Sequence, residues 1–163
     1  MIDEKFIFVA VALIIFGDFT YLVGTIKGKI KPNKVTWLLW GLTPLLAFAA
    51  QLSQGIGLAS LTTFAFGGVP ILIFLASFLN KKSFWKITNF DLICGALAII
   101  GLVLWQVTQV GNWAILFAIA ADGLAAAPTI VKSYQAPETE NYQTYLFNGL
   151  GAIITLFTIK TWD

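Results

Sequence analysis

A chain of 163 residues that is 58% hydrophobic and only 11% charged cannot cover its own folded surface, because a water-soluble domain carries roughly a quarter charged residues. Lipid must do part of the solvation, and a mean hydropathy of +0.84 indicates an all-α integral membrane protein. All the basic residues are lysine and there is no histidine, which excludes a histidine metal site, a histidine general base and a haem axial histidine.

The first apolar run covers residues 6–26 and is too long, and too polar at its centre, for a signal-peptide core. It carries Asp18. The basic segment KGKIKPNK (27–34) follows, then a second run at 35–53 containing Trp40, Thr43 and Pro44. The turn SQGIG (53–57) leads to a third run at 56–79, which holds Phe66, Gly67, Gly68 and Pro70. After NKKSFWKITNF (80–90), a fourth run at 92–109 carries Cys94, a lone cysteine read as a small packing residue. QVGN (109–112) precedes a fifth run at 113–131 with Asp122 and Pro128. KSYQAPETEN (132–141) precedes a sixth at 142–159 with Tyr145 and Asn148. Each run approximates the roughly 20 residues that a helix needs to cross the hydrocarbon core, and none shows the alternation of a barrel strand. Six transmembrane helices are expected. The tight turns predict that the second and third helices, and the fourth and fifth, are antiparallel neighbours.

Lysine placement predicts orientation. Lys27, Lys29, Lys31 and Lys34 fall in the first loop, Lys81, Lys82 and Lys86 in the third, Lys132 in the fifth, and none in the loops between. Positive charge stays cytoplasmic, so the N terminus is expected outside and the lysine-rich loops inside, in a plasma membrane of the bacterial inner type. Trp37, Trp85, Trp113 and Trp162 fall near the expected interfaces, as an aromatic belt requires. Membrane lipid is thus an expected partner, and the lysine loops could also engage anionic headgroups. Nucleic acid is not expected.

Residues 17–47 align with 121–152. Asp18 lies over Asp122, Thr25–Ile26 over Thr129–Ile130, and Gly24 over Pro128. With one residue inserted in the loop, Pro32 lies over Pro137, Trp37 over Tyr142, Trp40 over Tyr145 and Thr43 over Asn148. The two mid-membrane charges therefore coincide. The offset is four helices, so both copies run in the same direction, which makes a parallel repeat. The expected organisation is a first repeat at 1–79, a basic loop with a linker helix at 80–110, and an incomplete second repeat at 111–163.

The stretches TYLVGTIKGKIKPNKVTWLLWGL and PTIVKSYQAPETENYQTYLFNGL resemble the PQ-loop superfamily, which includes the SWEET sugar transporters and the half-sized SemiSWEETs. A helix ends near a breaker, a short loop carries a proline, and the next helix begins with an aromatic residue. The resemblance covers about a third of the chain. It implies two triple-helix bundles joined by a linker helix, around a central solute path that opens alternately to each side. The chain departs from the pattern in three ways. The literal Pro-Gln pair is absent, the third helix has no mid-depth asparagine, and the sequence stops at TIKTWD with no seventh helix. The second bundle is therefore incomplete, and a second copy of the chain or a separate seventh helix is the expected partner beside a small polar solute.

An intramembrane carboxylate costs about 2.5 to 3.5 kcal/mol on insertion scales, so it faces other helices or water. With no Arg, His or Lys in the spans to pair with, desolvation favours the neutral acid. Asp18 and Asp122 then act either as interhelical hydrogen-bonding groups beside Gly17 and Gly123, or as a pair that lines a central cavity and takes up and releases a proton or cation as solute moves. Asn148, Thr43, Trp40 and Tyr145 are expected on the same pathway, with Phe66 as a further ring. Pro44, Gly67, Gly68, Pro70 and Pro128 interrupt the spans and are expected hinges. The favoured function is a secondary transporter or facilitator of a small polar, sugar-like solute, with no metal and no cofactor. The alternative is a non-transporting scaffold or small subunit of a membrane complex. Catalysis is not expected: no Ser–His pair, zinc motif or phosphate loop occurs, and Asp122-Gly-Leu-Ala lacks the context of an aspartyl protease dyad.

Overall fold

The computed structural model describes residues 2–53, 55–108 and 111–159; Trp162 and the Gln109–Val110 half of the fourth turn lie outside them. Six α-helices follow one another: α1 (Phe6–Ile26), α2 (Lys34–Ser53), α3 (Ala59–Ala76), α4 (Asn89–Val107), α5 (Gly111–Gln135) and α6 (Tyr142–Thr158). Short 3₁₀ turns at Lys81–Ser83 and Pro137–Thr139 interrupt the third and fifth loops. Five helices are long and apolar enough to cross a membrane, and α6, at 17 residues, is the short one. Phe8 and Phe19 on α1, Leu72 and Leu75 on α3, and Ile99 and Val103 on α4 are exposed. Apolar exposure on this scale is rare on soluble monomers and, with the five long apolar helices, points to an integral membrane protein.

Hydropathy locates the helices well because backbone groups in lipid must bond within their own segment. It locates their ends less well, because side chains set these. Asn33 Oδ1 accepts from the amides of Val35 (3.1 Å) and Thr36 (3.4 Å) and starts α2. Thr88 and Asp91 form a reciprocal capping box at α4, so α4 begins ahead of its apolar run. Asn141 Oδ1 accepts from Gln143 N (3.0 Å) and starts α6. The fifth helix continues through Lys132 to Gln135 rather than stopping at residue 131, because Lys132 is buried and paired instead of solvated.

Small residues decide which helices meet. A Cβ on Gly17 of α1 would stand 2.8 Å from Phe147 Cβ on α6, and one on Gly151 of α6 would stand 3.0 Å from the Ala10 carbonyl oxygen. Gly67 of α3 likewise leaves room for the Gly41 carbonyl of α2, and Gly101 of α4 for Ala121 of α5. Close backbone approach at small residues is how helices associate where no hydrophobic drive separates them from lipid. The main pairs are therefore α1–α6, α2–α3 and α4–α5, with α3 also on α1, and α2 also on α5 and α4. The expected α2–α3 and α4–α5 neighbours are thus in contact.

The α2–α5 crossing has a polar tie, in which the Thr36 hydroxyl donates to the Ala125 carbonyl at 2.7 Å inside the protein. Thr36→Val keeps the shape and removes the donor. We expect a loss of about 1 kcal/mol, read as a lower unfolding temperature of the purified protein in detergent.

At the lysine-loop end the connections are knitted together. Ser83 Oγ donates to the Thr25 carbonyl, and Asn80 Nδ2 donates to the Ile26 carbonyl at 2.9 Å. Gly28 turns the chain with φ +74°, and any Cβ there would meet Asn80 and Lys82 at 2.8 Å. Tyr21, Ile30, Trp37 and Ile73 pack beneath this end as a core cluster.

Candidate solute cavity

A cavity of about 620 Å³ lies between α1, α2, α3, α5 and α6, within the usual range for small-molecule sites. Asp18, Trp40, Thr43, Asp122, Tyr145 and Asn148 all stand on its wall, with Phe66, Pro44 and Pro70. Residues separated by up to 130 positions in sequence are brought together because α6 packs on α1 and α2 packs on α5.

The two aspartates differ in setting. Asp18, on the buried face of α1, is 1% exposed. Asn148 Nδ2 donates to its Oδ1 at 2.6 Å and shares its other donor with the Thr144 carbonyl at 2.8 Å. The close approach at Gly17 makes this contact geometrically feasible, and Thr144 Oγ1 adds a bond to the Gly17 carbonyl at 2.8 Å. Asn141 Nδ2 donates to Thr20 Oγ1 at 2.9 Å and extends the α1–α6 polar seam. Asp122, on α5, is exposed. Beside it, Gly123 has open space where a Cβ would be, so the close helix packing expected at both aspartates occurs only at Asp18.

The breakers do not divide the helices. α2 runs unbroken through Pro44, α3 through Gly67, Gly68 and Pro70, and α5 through Pro128. Pro44 and Pro70 are on the cavity wall, whereas Gly67 lies in the α2–α3 contact, and Gly68 and Pro128 are not on the wall.

A polar cluster centred on Glu140 adjoins the cavity. Lys132 Nζ forms a buried ion pair with Glu140 Oε1, the two side chains being 1% and 6% exposed. The Tyr21 and Tyr145 hydroxyls donate to Glu140 Oε2 at 3.0 and 2.7 Å, and Trp37 Nε1 donates to the Tyr21 hydroxyl at 3.2 Å. Lys132 also lies over the Trp85 ring, 5.2 Å from its centre. Side chains from α1, α5 and α6 thus meet on a single carboxylate, with Trp37 of α2 and Trp85 of the third loop one contact further out. Trp37 and Tyr145 belong to both the cluster and the cavity wall, so the cluster adjoins the cavity at the lysine-loop end.

Sequence reasoning took Lys132 as an orientation marker and did not single out Glu140 or Tyr21. A lysine and a glutamate flanking a polar loop normally face water, so composition gave no signal. The spacing of Tyr21, three residues after Asp18 and hence on the same helix face, is the one available hint.

Among the described residues no group of three or more His, Cys, Asp or Glu side chains converges as a metal site would require. Comparison with family models, with curated proteins and with solved structures found no match to this chain.

Proposed function

We propose that this protein is a secondary transporter or facilitator of a small polar solute, working by alternating access with Asp18 and Asp122 as a proton-linked pair. The observation that carries this reading is the meeting of both aspartates, from α1 and α5, on one cavity that the Glu140 cluster adjoins. An exchange of α1 with α5 and of α2 with α6 carries the α1–α6 contact onto the α2–α5 contact, which supports the parallel repeat. On this reading the Glu140 cluster closes the cytoplasmic end of the cavity, on the side where positive charge is retained. Pro44 and Pro70 lie beside the solute, at the depth where a helix must bend for the cavity to reopen on the other side.

The test is osmotic swelling of liposomes that contain the protein, against sugars, polyols and amines. Swelling with one class of solute, lost in Asp18→Asn/Asp122→Asn while the variant still elutes as a folded species, is the expected result. An unchanged rate in that variant removes the aspartates from the pathway.

A second reading, a membrane scaffold or subunit of a complex, is favoured by the flank between α5 and α6. These helices share no extended packing, and Gly123 and Gly149 have open space at the Cβ position. A further transmembrane helix, from a second copy or another chain, would fit there through small-residue contacts. Cross-linking from Gly149→Cys in membranes separates the readings, since a scaffold requires a partner within reach and a self-sufficient transporter does not.

A further inference from the structure

Among the described residues, the cavity wall carries two carboxyl groups and no cationic side chain. Asp18 and Asp122 line it and no lysine does; Lys132, in the adjoining cluster, is paired with Glu140. The remaining surface is largely aromatic. Trp37 and Trp40 meet edge to face at 5.7 Å and Trp40 meets Tyr145 at 6.4 Å, with Phe66 also on the wall. Carboxylates beside ring faces are the chemistry that binds an ammonium group, and the attraction grows where the ion sheds its water.

A neutral polyhydroxylated solute would draw on directional donors, and four of the groups on the wall that could supply them are committed elsewhere, which leaves the Thr43 and Thr63 hydroxyls and the Trp40 indole. The Asn148 amide donates to Asp18 and to the Thr144 carbonyl, the Thr144 hydroxyl to Gly17, the Tyr145 hydroxyl to Glu140, and the Trp37 indole to Tyr21. Two carboxyl groups with no cationic side chain on the wall, and the ring surface around them, are what distinguish the cavity. An intramembrane carboxylate is costly without a partner, and a cationic solute would supply one that the helices do not.

We propose that the cavity selects an organic cation, with Asp122 and Asp18 as its counter-charges and the Trp40 ring against its alkyl groups. The proposal rests on the solute-cavity reading above and narrows its solute from sugar-like to cationic.

Choline and its uncharged isostere 3,3-dimethylbutan-1-ol serve as probes, titrated calorimetrically into the full chain in detergent. Labelled choline uptake is followed in parallel in liposomes. We expect choline to bind at least about tenfold more tightly than the isostere. We also expect Asp122→Asn, a change at an exposed position, to abolish that preference, and Trp40→Leu to reduce it several-fold. Equal affinity for the two probes, or swelling with neutral polyols alone, overturns the cation site and leaves the transport reading standing. Selective choline binding with no uptake upholds the site and overturns transport. Displacement of choline by an equal concentration of sodium would assign the carboxylates to a metal ion and overturn the proposal.

Discussion

Lys132→Met is expected to destabilise the protein by about 3 to 5 kcal/mol, the usual consequence of removing one partner of a buried ion pair. Glu140 would keep its two tyrosine donors but lose the cation paired with it. Screening by solvent offers no relief, because both side chains are almost wholly inaccessible. The double variant Lys132→Met/Glu140→Gln should recover most of the loss, since a neutral amide can still accept from Tyr21 and Tyr145 and no charge remains stranded. Thermal unfolding of the wild type, both single variants and the double variant in one detergent makes a complete cycle. Additive losses would show that the two residues are not coupled, contrary to the geometry. If the cluster also closes the transport cavity, the double variant should be stable yet leak solute, a result that a purely structural cluster would not produce.

Gly67→Ala is expected to cost about 1 to 3 kcal/mol, the range for overpacking a fitted interface. The added Cβ would stand 2.9 Å from the Gly41 carbonyl oxygen and from the Leu45 amide nitrogen. Both are backbone atoms of α2, which cannot move aside as the end of a flexible side chain can. The adjacent Gly68→Ala is the natural control. Its Cβ would meet nothing closer than the Phe64 ring at 3.6 Å, so the relief of glycine's helix penalty should stabilise it by about 0.5 to 1 kcal/mol. Opposite signs at two consecutive glycines, measured as unfolding temperatures, are the predicted outcome. Losses of equal size at both would mean that α2 and α3 do not approach as closely as described. The same comparison bears on hinging, because a helix gripped at Gly67 has to bend nearer to Pro70 than to the glycine pair.

Hydropathy and loop composition by themselves determined that the chain folds as apolar helices, and where each one lies to within a few residues. Lipid exposure leaves an apolar helix as the one way for a single span to satisfy its backbone. The alignment of Asp18 with Asp122 also picked out the wall of the cavity, because a carboxylate inside an apolar span is tolerated only where it faces the protein or water. What the sequence could not show is which groups are spent on one another. Glu140 and Lys132 look like solvated loop residues until the 3₁₀ turn at Pro137–Thr139 folds back on α5 and brings Tyr21, Trp37 and Tyr145 from three other helices over them. Asp18 and Asp122 look equivalent until α6 covers one with Asn148 and leaves the other exposed. Gly17 and Gly123 look alike until a neighbouring helix lies on the first and open space on the second. In each case a residue's role depends on the identity of the helix beside it. That choice is made by backbone contacts at a few small residues, far apart in sequence, and it exists only once the helices have packed.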